Sequence, residues 1–317
     1  MTAARTFSFY GVTTGGSLIM RIFPRWAEHL GLADVRIDGT DLPIHAEPGV
    51  YRARVERLKA DERECGALVT THKIDLFQAC RDLFDYVDPH AALCGETSCL
   101  SKRDGRLRAH AKDPISAGQS LDDIVAPGHW ERTGAEVLCL GAGGSAIAIT
   151  IHLLTSRPAA DRPRRIVVVN RSRPRLDSLA AILRQIDSGA PLEYVRGDDP
   201  EANDELMRTL APGSLVINAT GMGKDTPGSP VTDAGLFPHK GLVWELNYRG
   251  ALDFLHQARA QEQERDLQVH DGWPYFIYGW TAVIEEVFGL RFTPSDIAEL
   301  TEIANEVRAT PIAGGSP

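Results

Sequence analysis

No run of apolar residues reaches the roughly 20 that a bilayer-spanning helix needs, and no secretory leader is read at the start of the chain. The expectation is a cytoplasmic protein. Cysteine is sparse. The five present (Cys65, Cys80, Cys94, Cys99, Cys139) are odd in number and lack paired metal-ligand spacing. Cys94 and Cys99 stand close enough to be weighed as ligands, but no Cys/His pair accompanies them, and buried reduced thiols are the simpler reading. No metal site is expected. Positive charge is also short: 34 Lys and Arg face 43 Asp and Glu, a net −9. That argues against broad binding to nucleic acid or an anionic membrane. Internal repeats are missing, and the tail from Ala309 onward reads as frayed. What remains is an ordinary globular composition, 43% hydrophobic and 24% charged over 317 residues, enough for two domains.

The most informative stretch is Ala135–Ala146. Val137-Leu138-Cys139-Leu140 is long enough for one buried parallel strand, and Gly141-Ala142-Gly143-Gly144-Ser145-Ala146 follows, before a helix-compatible run from Ile147 to Leu154. In the spacing Gly-x-Gly-x-x-Ala, Gly141 permits a tight turn. Gly143 clears the backbone for a pyrophosphate, and Ala146 lets helix and strand approach. The helix then offers free N–H groups to phosphate. A plain strand–helix connection has the same look, so the next strand matters. Arg165–Asn170 is apolar, and a dinucleotide fold reads the adenosine ribose at its end. No acid stands there to accept from a ribose 2′-hydroxyl. The chain continues Asn170-Arg171-Ser172-Arg173-Pro174-Arg175, whose guanidinium groups suit a 2′-phosphate. NADP is therefore preferred over NAD. The alternative is a solvated basic turn.

The first 110 or so residues alternate strand and helix on their own. Strands are expected at Thr6–Val12, Val35–Ile37 and Cys65–Thr71, and helices at Ile19–Leu30, Pro48–Ala60 and Leu76–Leu83. Lys73 lies just past a strand end, where sites of open α/β sheets gather, and Asp113 lies before the segment leading to the glycine turn. A lysine and an aspartate flanking an inter-domain cleft can move a proton to or from an alcohol. Each taken alone also fits a surface charge.

Several blocks, in order, resemble the shikimate dehydrogenase family along nearly the whole chain. They are Val69-Thr70-Thr71-His72-Lys73, Asp104 to Asp113, Gly141 to Ala146, and Asn170 to Arg175. Three more follow: Asn218-Ala219-Thr220-Gly221-Met222-Gly223, Trp244-Glu245-Leu246-Asn247-Tyr248, and Asp271-Gly272. The resemblance implies an α/β fold: an N-terminal substrate domain (1–113), a Rossmann NADP domain (114–272), and C-terminal helices (273–317) returning to the first. It implies Lys73 and Asp113 as the catalytic pair. Substrate contacts would come from Ser17, Thr70, Thr97, Ser98, Tyr248 and Tyr278. The cofactor would be held by the Gly141–Ala146 turn, Asn170, Arg171, Ser172, Arg175, Asn218, Ala219, Thr220, Leu246 and Gly272.

The departures bear on the substrate. Counted from Gly11, Ser17 takes the place of the first of two carboxylate-binding serines, but Ile19 and Met20 replace the second serine and its proline. Glu96-Thr97-Ser98-Cys99 carries no asparagine, Ala111 replaces another, and Gly279 stands where the family has glutamine. The lysine block lacks its proline. A site that loses its hydrogen-bonding groups loses the substrate they bound. The expectation is an NADP-dependent oxidoreductase of this type, acting on a small, cyclic secondary alcohol or ketone other than, or besides, shikimate. Trp273, Tyr275 and Tyr278 hint at a more apolar compound, or else pack the domain junction. A shikimate or quinate dehydrogenase with a relaxed pocket and a non-catalytic dinucleotide sensor stay open as alternatives. Homodimers are common in such folds, and no interface signature marks one here.

Overall fold

A computed structural model describes residues 4–186, 189–224 and 226–310. Most of the tail expected to fray lies outside them. The chain divides into two compact units, one of residues 1–112 with 280–317, the other of residues 113–279. Both are α/β, the class the sequence predicts.

The first unit begins β1 (Arg5–Gly11), α1 (Ile19–His29), β2 (Val35–Asp41), α2 (Pro48–Ala60), β3 (Glu64–Val69) and α3 (Lys73–Ala79). It continues β4 (Tyr86–Val87), α4 (Pro89–Cys94), β5 (Cys99–Arg103) and β6 (Arg106–His110). These strands form one six-stranded sheet, ordered β2-β1-β3-β5-β6-β4. β1 runs parallel to β2 and β3, but β5 runs antiparallel to both β3 and β6. The reversal is local chemistry. Asp104 and Gly105 both have positive φ, 53° and 71°, the two-residue turn that suits the twist of a hairpin. One face of the sheet packs on α2 and α3 through Tyr10, Tyr51, Val55, Leu58, Val69 and Leu76.

The second unit runs α5 (Asp113–Ile124), α6 (His129–Thr133), β7 (Val137–Leu140), α7 (Gly144–Thr155), β8 (Ile166–Asn170), α8 (Arg173–Leu183), β9 (Leu192–Arg196) and α9 (Pro200–Arg208). After these come β10 (Leu215–Asn218), β11 (Leu242–Glu245), α10 (Asp253–Ala260), α11 (Glu262–Arg265) and β12 (Gln268–His270). Its sheet is all parallel, ordered β12-β11-β10-β7-β8-β9. This is the doubly wound order of a dinucleotide-binding fold, with the switch point between β7 and β10. β7 is buried at every residue, as a strand covered on both faces must be.

α12 (Trp273–Phe288) begins in the second unit and ends in the first, where α13 (Pro294–Ala309) follows. Within the first unit Trp280 packs edge-on to Phe7 and Phe9, and the Trp26 indole donates to Leu300 O at 2.8 Å. A threonine–aspartate capping box, Thr293 with Asp296, starts α13.

Candidate functional site

In the first unit the expected residues gather at the carboxyl ends of β1 and β3. Thr70 N–H and Oγ1–H both donate to Tyr10 O, at 3.0 and 3.2 Å. Lys73 opens α3. Its N–H donates to Thr70 O and its carbonyl accepts from Thr97 N–H, both at 3.2 Å. Thr97 and Ser98 stand just before β5, whose pairing with β3 brings Ser98 O to Val69 N–H at 2.9 Å. Both are buried. The Thr97 hydroxyl donates to Cys99 O or His110 O, and Ser98 Oγ accepts from Lys112 N–H at 2.8 Å. Ser98 thus keeps its proton to donate. Ser17 is half-buried in the loop after β1. That loop is fixed by Thr14, whose N–H and hydroxyl donate to Asp41 at 2.7 and 2.6 Å, and these bonds hold the Asp41 carboxyl below its ordinary range.

Beside Lys73, His72 is 1% exposed. Its Nδ1 meets the Tyr51 hydroxyl at 3.3 Å, and its Nε2 has no partner among the described residues. Two positions where the sequence departs from the family it resembles are apolar core. Ile19 and Ala111 have no exposed surface.

In the second unit the glycine turn sits at the switch point. Gly141 has φ +118°, and a Cβ there would stand 2.5 Å from Ala219 O, so the loops after β7 and β10 meet backbone to backbone. Gly143 differs: a Cβ on it would meet nothing within 4 Å. It precedes α7, a 12-residue helix whose first turn has no side-chain cap. Open space before uncapped N–H groups fits a pyrophosphate. Ser145 Oγ lies 3.4 Å from the Tyr275 hydroxyl.

Across β8, Asn170 Oδ1 accepts from Ser172 N–H at 3.1 Å. Arg171, Arg173 and Arg175 are exposed, and Arg173 pairs with Asp177. The register adds a residue that sequence reasoning missed. Arg196 ends β9 directly beside Asn170, so both side chains leave the same face of the sheet. The signal was the run Leu192-Glu193-Tyr194-Val195-Arg196 before a glycine, a short strand with a charge at its end.

At the ends of β10, β11 and β12 stand Asn218, Ala219, Thr220, Leu246 and Gly272. Leu246 N–H donates to Asn218 O at 3.2 Å, and Gly272 N–H to Asn247 O at 3.1 Å. A Cβ on Gly272 would collide with Leu246 O. Between them lies Glu245, also missed, whose carboxyl is pushed up to about 7 by burial, against the pull of hydrogen bonds from Asn247 and Asn218.

Asp113 opens α5 in this unit. Tyr248 packs tilted against Trp273 and Phe276, at ring distances of 5.7 and 4.7 Å, and Trp273 lies flat on Phe276 at 5.0 Å. Tyr278 donates to Asp123 at 2.7 Å, and burial with that neighbour raises its hydroxyl pKa. Gly279 has nothing within 4 Å of where a Cβ would be. Among the described residues no cluster of His, Cys, Asp or Glu could hold a metal ion, and no helix is long and apolar enough to cross a membrane.

No family model matches the chain. Among curated proteins it is 31% identical to the shikimate dehydrogenase (NADP(+)) of Symbiobacterium thermophilum over 267 residues, 82% of this chain and 85% of that one. Two solved structures share the fold. The shikimate dehydrogenase of Aquifex aeolicus does so at TM-score 0.72 and 19% identity, covering 98% of this chain and 99% of its own. The 5-ketofructose reductase of a Gluconobacter strain does so at 0.67 and 22%, covering 95% and 98%.

Proposed function

Because this chain belongs to the shikimate dehydrogenase family, we propose that it is an NADP-dependent oxidoreductase of CH–OH groups whose substrate is a small cyclic alcohol or ketone other than, or in addition to, shikimate. The observation that carries the cofactor half is the pairing, on adjacent parallel strands, of the uncapped glycine turn after β7 with the acid-free arginine turn after β8. The pyrophosphate belongs on Gly143, Gly144 and the first N–H groups of α7. The 2′-phosphate belongs on Ser172, Arg171 and Arg175, with Arg196 beside them. Bound NADP supplies or takes up the hydride.

The protein's own part is the proton. In oxidation Lys73 Nζ, as the amine, takes the hydroxyl proton while the carbon gives up hydride; in reduction the ammonium returns it. Asp113, the second member of the pair, accepts from the reacting hydroxyl. Ser17, Thr70, Thr97, Ser98, Tyr248 and Tyr278 are the proposed substrate contacts. The substrate half of the reading rests on what has gone. Ile19 and Ala111 now serve the core, and Gly279 leaves room where a long polar side chain would reach. The Gluconobacter reductase supports it too, since a chain of this fold is named for a substrate other than shikimate.

The test follows reduced nicotinamide by absorbance, with NADP or NAD against shikimate, quinate and a panel of cyclic alcohols. The expected outcome is NADP-linked oxidation of a panel alcohol instead of or besides shikimate, with Lys73→Ala slower by roughly two to four orders of magnitude. Turnover of shikimate and of no other alcohol on the panel would sink the substrate reading. A loss below about tenfold in Lys73→Ala would sink the role of the lysine.

A further inference from the structure

One buried carboxylate organises the loops after β10 and β11. Glu245 closes β11 and has no exposed surface. Its Oε2 accepts from Asn218 Nδ2 at 2.7 Å. Its Oε1 accepts from the backbone N–H of Asn247 at 2.8 Å and from Asn247 Nδ2 at 2.7 Å. The bonds continue outward. Asn218 Oδ1 accepts from Thr220 N–H and hydroxyl at 3.1 and 2.7 Å, Thr220 Oγ1 accepts from Met222 N–H at 3.1 Å, and Asn247 Nδ2 reaches Met222 O at 3.0 Å. Asn247 O takes the Gly272 N–H. The shapes of Asn218–Met222 and Glu245–Asn247, and the path of Gly272, therefore all end on Glu245.

Three amide N–H groups donate onto its two oxygens, a set that an ionised carboxylate accepts without having to place a proton of its own. A glutamine would turn an NH2 toward one of them. Even with the Lys224 ammonium favouring the charge, burying it is a costly way to brace a loop. In a doubly wound sheet the half beyond the switch point, here β10 to β12, receives the second mononucleotide of a dinucleotide. We infer that Glu245 is the positioning residue for the nicotinamide half of NADP, acting through Asn218 and Asn247 without touching the cofactor. The inference rests on the NADP reading above.

The experiment compares wild type, Glu245→Gln and Asn247→Ala by calorimetric titration with NADPH and with 2′,5′-ADP, which carries the adenosine half alone. Both variants should bind NADPH about tenfold or more weakly and 2′,5′-ADP within about twofold of wild type. The fluorescence of bound NADPH, which reports the surroundings of its nicotinamide, should move toward that of free NADPH. Equal weakening of both ligands, or unchanged NADPH affinity and fluorescence, would overturn the role of Glu245. Wild type that binds neither ligand would overturn the NADP reading itself. If Glu245→Gln fails to fold, Asn247→Ala decides by the same split.

Discussion

Glu245 joins two effects that usually pull apart. Its partners want it ionised, while its burial favours the neutral acid and lifts its pKa from 4.5 to about 7. In the unfolded chain it titrates near 4.5. As pH rises from there toward 7, the unfolded state gives up this proton while the folded state still holds it, and above 7 the folded state loses it too. The contribution to stability is therefore greatest at acid pH and is lost on the way to alkaline pH. Glutamine stays neutral throughout. Urea unfolding of wild type and Glu245→Gln should show the variant gaining about 2 kcal/mol on wild type between pH 5.5 and 8.5. A difference that stays flat with pH would refute the shift. Carboxylates with depressed pKa values cancel in this comparison. Asp88 is one: burial opposes its ionisation, but His110 and the Ala91 N–H hold it down. A variant more stable at high pH yet weaker toward NADPH would mark Glu245 as held for binding at the expense of stability.

The turn from β7 into α7 makes a sharper element-level prediction, because its two glycines have different reasons. Gly141 has a left-handed φ and no room for a methyl against Ala219 O, so Gly141→Ala should cost on the order of 1–3 kcal/mol in thermal or urea unfolding. Gly143 has an ordinary extended backbone and empty space, so Gly143→Ala should unfold like wild type yet lose NADP binding, because the methyl takes the room of the phosphate. Retained NADP affinity in a folded Gly143→Ala would put the pyrophosphate elsewhere. This turn was legible because its chemistry is local. β7 and α2 have the bounds expected from periodicity alone. Other elements were less so. α3 starts at Lys73, not Leu76, because Lys73 N–H already turns back on Thr70 O. β2 runs on to Asp41, since an edge strand half open to water tolerates Asp38-Gly39-Thr40. β9 alternates weakly and is half exposed, which hid Arg196. Glu245 was hidden for another reason: a buried acid shows itself only when its amide donors arrive from other strands.

At the scale of the whole molecule the chain crosses between units at 112/113 and at 279/280, so the second unit is one continuous piece and the first is not. Residues 113–279 hold a complete parallel sheet with its own core around Val167, Val216, Phe237 and Phe254. Residues 1–112 alone would lack Trp280 against Phe7, Val287 above Gly66, and the Leu300 carbonyl that Trp26 requires. A fragment of residues 113–279 is expected to give a cooperative melt by circular dichroism and to bind 2′,5′-ADP, and a fragment of residues 1–112 is expected to remain unfolded. The reverse result would refute this division of labour. The first unit also has a clasp. Lys112 Nζ, the last charge before the chain departs, meets Glu286 Oε2 on its return at 2.7 Å, a bond between residues 174 apart in sequence. Glu286 also faces His110 at 3.3 Å, and His110 faces Asp88 at 3.3 Å, all nearly buried. In polymer terms the host gathers the two ends of a long loop by itself. That closure costs roughly 4–5 kcal/mol if left to a flexible chain. The guest inherits a finished doorway, so its place in the chain is a natural grafting point for any domain whose own termini lie side by side.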